Sequence, residues 1–126
     1  MSRVAVVSVP VTDQDRAAAF YSTYLGFGVI EDQAMGPTMR WVQLGCGDEF
    51  TTLTLTTWLD TMPAGSISGL VIDVDDADAT RAKMVADGIE CSELDDQAWG
   101  RYFMAKDPDG NGLVIAKTTP RESRPS

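Results

Sequence analysis

Apolar and polar positions alternate from the start of the chain: Val4, Val6, Ser8 and Pro10 fall on one side and Ala5, Val7 and Val9 on the other, predicting a strand over Arg3–Pro10. Both sides are mostly apolar, so this strand is expected inside a sheet. Thr12-Asp13 then supplies a helix cap, and Ala17, Phe20, Tyr21, Tyr24 and Leu25 share one face at helical spacing until Gly26 ends the helix. Three more strands are predicted as an antiparallel meander: Phe27–Gln33, Met39–Gly45 and Phe50–Trp58, separated by Gly36-Pro37 and by Gly45-Cys46-Gly47-Asp48. The last is the clearest. Thr52, Thr54, Thr56 and Trp58 alternate with Thr51, Leu53, Leu55 and Thr57, and threonine suits a pleated strand.

After a polar linker, Asp60–Gly65, the same order returns: a strand over Ser68–Val74, Asp76 as cap, a helix over Ala79–Ala86 and Gly88 as its stop. Asp13 and Asp76 stand 63 residues apart, and Gly26 and Gly88 stand 62 apart, which marks an internal repeat. Strands over Ile89–Leu94, Arg101–Lys106 and Gly112–Lys117 complete the second half, the last two joined by the turn sequence Asp107-Pro108-Asp109-Gly110-Asn111. The expected fold class is α+β, one domain of two βαβββ modules: residues 1–62, residues 63–117 and a frayed tail over 118–126. A helix of about ten residues covers one face of a four-stranded sheet, so each module should leave its other face open, and the two should close into a half-barrel around an interior cup.

Composition narrows the class. With 126 residues, 44% of them hydrophobic, the chain suffices for one core and not for two independent ones. Ten basic against 19 acidic residues give a charge of -9, which repels phosphate backbones and anionic lipid surfaces, so neither nucleic acid nor membrane is an expected partner. No export signal is visible in Met1–Pro10 and no apolar run approaches the ~20 residues of a membrane span. A cytoplasmic protein is expected, with Cys46 and Cys91 as free thiols. Neither cysteine has a histidine to activate it, because the chain contains none.

Four segments, Val11-Thr12-Asp13, Ala19-Phe20-Tyr21, Leu25-Gly26-Phe27 and Asp107-Pro108-Asp109-Gly110-Asn111, together resemble the signature of the vicinal oxygen chelate superfamily, the glyoxalase, bleomycin resistance protein and dioxygenase family. The resemblance runs from Val4 to Lys117 and implies the two-module cup. In members with chemistry it also implies a divalent metal held by four inward histidine or glutamate side chains, on the first and fourth strand of each module, which leaves positions open for a substrate with adjacent oxygens. By motif those four positions fall at Val6, Thr54, Gly69 and Val114 in this chain. Only Thr54 carries even a weak oxygen donor. No shift of register restores the set in a chain without histidine, so no metal and no cofactor is expected. Asp73, Asp75 and Asp76 are expected to act as caps and solvated charges around a helix start, and Asp107 and Asp109 as turn formers.

Alternation adds Ser8, Thr52, Thr56, Trp58, Val71, Asp73 and Ala116 to the face of those four positions, an apolar lining with hydroxyls. Gly69 would let a ligand approach the backbone, Trp58 and Trp99 are candidates for a stacking clamp, and Arg101 is a further ligand-binding candidate. Asp73 is the candidate general base if the cup is dry. Two functions of different class follow. One is a metal-free binder of a cationic or aromatic small molecule, like the bleomycin-type resistance proteins of the family, as a homodimer paired side by side or by swapping. The other is a metal-independent enzyme, lyase- or isomerase-like, on an unknown small substrate. A dimeric scaffold without a ligand is the third possibility.

Overall fold

The computed structural model describes residues 2–47 and 50–120. They form two compact units. Of the described residues, one is built on those up to Ile67 together with Asp107–Asn111, the other on Ser68–Lys106 and those from Gly112 onward.

In the first unit β1 (Val6–Pro10), β2 (Gly28–Ala34), β3 (Arg40–Gly45) and β4 (Thr52–Thr56) form a sheet of order β1-β4-β3-β2, with β1 parallel to β4 and the rest antiparallel. β1 therefore lies at an edge of its sheet and not inside it, as its apolar character had suggested. Pro10, without an N–H, is suited to that edge. Helix α1 (Gln14–Leu25) begins where the Asp13 carboxylate accepts the Arg16 N–H and ends at Gly26, whose φ of 75° is the left-handed conformation a C-cap needs. Its buried face, Ala17, Phe20, Tyr21 and Leu25, shares the core with Val9, Val42, Leu44, Leu53 and Leu55. The buried Gln14 amide fixes the helix start to the sheet by donating to the carbonyls of Arg40 and Leu55.

The turn Asp107–Asn111 also belongs to this unit. Asp107 accepts from the Tyr21 hydroxyl at 2.9 Å and from the Asp109 and Asn111 amides, while Asn111 donates to the Pro10 carbonyl at 2.8 Å and accepts from the Ile67 N–H. Asp109 receives both Thr12 donors and an Arg16 contact. Both aspartates are thus structural.

The second unit repeats the plan with β5 (Leu70–Asp73), helix α2 (Ala77–Ala86), β6 (Asp95–Gln97), β7 (Gly100–Lys106) and β8 (Gly112–Thr118), in the order β5-β8-β7-β6. Asp76 caps α2 through the Ala79 N–H, and the helix starts two residues before the expected Ala79. Ile72, Ala77, Met84, Phe103, Ala105, Leu113 and Ile115 form its core. β8 runs through Thr118, so the tail begins later than its residue pattern indicated, and its remainder from Arg121 lies outside the described residues, as does Asp48 of the expected hairpin turn.

The expected strand over Ile89–Leu94 is not formed. Only a bridge between Cys91 and Ala105 remains there, and the edge strand sits at Asp95–Gln97. Ser92 explains the break: its carbonyl accepts from the Arg81 guanidinium at 2.7 Å, and its hydroxyl takes the Met104 N–H that a ladder carbonyl would have received.

One device occurs in both units. Arg40 of β3 binds Asp15 in the first turn of α1 and Asp32 of β2, and Arg101 of β7 binds Asp78 in the first turn of α2 and Asp96 of β6. The paired residues stand 61 to 64 positions apart, the period of the repeat. Hydrogen bonds from the arginines hold the Asp32 and Asp78 carboxyls below their ordinary value. Among the described residues no helix is long and apolar enough to cross a membrane.

Candidate functional site

Residues paired across neighbouring strands point to the same side of a sheet, so the registers define the face opposite each helix. In the first unit Val6 pairs with Thr52, and Ser8 with Thr54, which pairs in turn with Gln43, itself opposite Glu31. Trp41 follows two residues along β3, opposite Gln33. This side is largely polar, whereas the alternate positions Val42, Leu44, Leu53 and Leu55 are core. Trp58, two residues past β4, brings its ring to 6.2 Å from that of Trp41. The polar atoms are mutually engaged: Trp41 Nε1 donates to Gln43 Oε1, Gln43 Nε2 to Thr52 Oγ1, and Thr52 Oγ1 to the Ala5 carbonyl.

The corresponding side of the second sheet is more apolar. Val71, Val114 and Met104 pair in one row, and Asp73, Ala116 and Tyr102 in the next. Val71 and Met104 are exposed. Trp99 stacks on Tyr102, ring centroids 5.0 Å apart and planes 26° apart.

Of the residues expected at the site, Ser8, Thr52, Thr54 and Trp58 share the first face, with Thr56 buried at the end of β4 where its hydroxyl meets the Val9 carbonyl. Val71, Asp73 and Val114 share the second face, with Trp99 beside it. Two expected residues fall outside these faces. Arg101 projects to the helix side, where its guanidinium is held by Asp78 and Asp96. Gly69 precedes β5 with φ of 79°, a conformation that favours glycine, and a Cβ there would meet nothing within 4 Å. Asp73 is exposed, and its Oδ1 accepts from the Thr118 N–H and hydroxyl, both at 2.9 Å. The dry surroundings that a carboxylate base requires are missing there.

Trp41, Gln43, Glu31, Tyr102 and Met104 were not singled out from the sequence. The signal existed for the first two: in the predicted strand Met39–Gly45, Trp41 and Gln43 alternate with Arg40, Val42 and Leu44.

The positions implied for a divalent metal do not fit one. Val6, Gly69 and Val114 have no donor atom, and the Thr54 hydroxyl donates to the Val42 carbonyl at 3.2 Å. Among the described residues no group of three or more histidine, cysteine, aspartate or glutamate side chains gathers to hold a metal ion elsewhere. Both cysteines are free, and burial raises the Cys91 thiol pKa, the opposite of activation.

Two βαβββ units, each with a helix on one face of a mixed four-stranded sheet, define a class of proteins built on a duplicated module. The family model for the Glyoxalase/Bleomycin resistance protein/Dioxygenase superfamily matches residues 3–115, and the chain belongs to that superfamily. It is 30% identical over 119 residues to the uncharacterized protein YetH of Bacillus subtilis (strain 168), covering 91% of this chain and 98% of that one. The crystal structure of TnmS3, an antibiotic binding protein from Streptomyces sp. CB03234, superposes with a TM-score of 0.84 at 38% identity, covering 94% of this chain and 98% of TnmS3. The trypanothione-dependent glyoxalase I of Leishmania major shares the fold, with a TM-score of 0.75 at 23% identity over 92% of this chain and 86% of that one.

Proposed function

We propose that this protein is a metal-free binder of a planar aromatic small molecule of antibiotic type, held against an aromatic pair on a helix-free face, Trp41–Trp58 in the first unit, with Trp99–Tyr102 a separate platform of the same kind in the second. The observation that carries the reading is the placement of an aromatic pair beside the helix-free face of each sheet, where the family positions for metal ligands hold aliphatic, hydroxyl or absent side chains. The 38% identity to an antibiotic binding protein supports the same reading. Asp73, exposed and engaged by Thr118, gives the enzymatic alternative little to build on. A cytoplasmic homodimer completes the proposal, and light scattering against the 13.6 kDa chain mass tests its assembly.

The experiment is a thermal-shift screen of cationic and neutral aromatic antibiotics, paired with elemental analysis. A ligand at a hundred times its Kd stabilises the folded state by ~2.7 kcal/mol, a shift of several degrees. Trp58→Ala should weaken such a ligand about tenfold or more, as expected for loss of a stacking contact in a desolvated site. A panel that leaves the melting temperature unmoved, or a transition metal near one per chain, would sink the proposal.

A further inference from the structure

The polar atoms of the first helix-free face form a chain whose direction is fixed at both ends. An indole N–H can only donate, so the Gln43 oxygen must be the atom 3.1 Å from Trp41 Nε1. Gln43 Nε2 then faces Thr52 Oγ1 at 2.8 Å, and the Thr52 hydroxyl passes its own proton to the Ala5 carbonyl at 3.0 Å, an atom that can only accept. One of the two Gln43 N–H bonds is spent on Thr52. Among the described residues the other has no partner, and Gln43 is half-buried on the face that carries Trp41. The neighbouring Glu31, directly across in the register, accepts Gln33 Nε2 through Oε2, and no hydrogen bond joins it to Gln43.

We infer that Gln43 is a specificity-determining residue, and that its uncommitted N–H selects planar aromatic ligands carrying an acceptor oxygen, such as a ring carbonyl, at their edge. The inference rests on the reading that this face binds aromatic compounds, and it adds what that reading lacks, a reason for one ring to be preferred over another. A glutamine free at both ends could rotate its amide and serve donors and acceptors alike. Here Trp41 holds the oxygen, so the side chain presents only a donor, and a ligand with a donor at that edge meets another N–H.

The test uses fluorenone and fluorene, one planar tricycle with and without a carbonyl. Each is titrated into the full chain with its three tryptophans, Trp41, Trp58 and Trp99, and the quenching of their emission is followed. Fluorenone should quench with a Kd about tenfold lower than fluorene, the value of one hydrogen bond to a half-buried donor. Gln43→Glu keeps an acceptor toward Trp41 but has no N–H to give, and should bring the two affinities together. Gln43→Met, of similar length and without a polar head, should lose the preference as well, and circular dichroism verifies that both variants fold. Equal affinities in the parent chain, or a preference that survives both substitutions, overturn the inference while leaving aromatic binding in place. Absence of quenching by either compound removes both.

Discussion

Tyr21 illustrates how much one side chain of this fold does. Its ring meets Phe20 and Phe27 edge to face, and its hydroxyl donates to Asp107 in the late turn. Burial first, and then the charge and hydrogen bond of Asp107, push the phenol far above its ordinary value, so it stays a donor. Tyr21→Phe is expected to cost about 2 kcal/mol near neutral pH, the range of a hydrogen bond to a charged group. Because the folded phenol keeps a proton that the unfolded chain releases near 10, the native protein loses stability as pH climbs beyond that value and Tyr21→Phe does not lose this contribution. Urea unfolding at pH 7 and at about pH 10.5 should show the gap between the two proteins narrowing. None of this pairing was visible in the linear chain, since the partners lie 86 residues apart. The Phe-Tyr dipeptide marked the helix core and said nothing about the hydroxyl. The position of Arg101 follows the same rule: alternation places a residue on a face only once the face toward the helix is known, and the contact to Asp78 that reveals it spans 23 residues.

At the level of helices and strands, local chemistry was the best guide. The caps Asp13 and Asp76, the Gly26 stop and the threonine alternation of β4 all act as their residue types require. The segment Ile89–Leu94 misled because its apolar spacing was real while its ladder was intercepted by Arg81 and the Ser92 hydroxyl, neither of which a pattern registers. The arginine clamps tie each helix to two strands of its own sheet, and their energetic sign is testable. Arg40→Met and Arg101→Met should each lower the melting temperature at pH 7. The difference from the parent should fade as pH falls below the ordinary carboxylate range and through the depressed values of Asp32 and Asp78, where the acids lose the charge that makes the contact. Salt at about 0.5 M should shrink it too, as both pairs are solvated. Arg101→Met should leave ligand affinity untouched, which separates its role from that of the opposite face.

For the molecule as a whole the consequential fact is that a turn lying between β7 and β8 in sequence is part of the first unit. Its buried Asn111 satisfies the Pro10 carbonyl, the Ile67 N–H and Asp107 together. Asn111→Ala should therefore cost about 3 kcal/mol, because several polar groups are left buried without partners. It should also preserve a single unfolding transition by circular dichroism and tryptophan emission, since the turn that completes the first unit lies within the stretch of chain that builds the second. The period of the repeat and the turn sequence were both legible beforehand; the unit that would hold the turn was not, because hydrogen bonds to Pro10, Thr12 and Ile67 leave no trace in spacing. The site was legible to a similar extent: the missing metal donors and Trp58 could be read from residue types, whereas Trp41 and Gln43 emerged only with the strand registers.

The doubled arginine clamp carries a practical implication for protein engineering. Everything that secures helix to sheet lies on one side of each module, while Glu31, Gln43, Val71 and Met104 project to the other. Combinatorial libraries at Glu31 and Gln43, or separately at Val71 and Met104, can therefore be screened for small-molecule cargo, as a biosensor or a drug-sequestering reagent, with the helix contacts left alone.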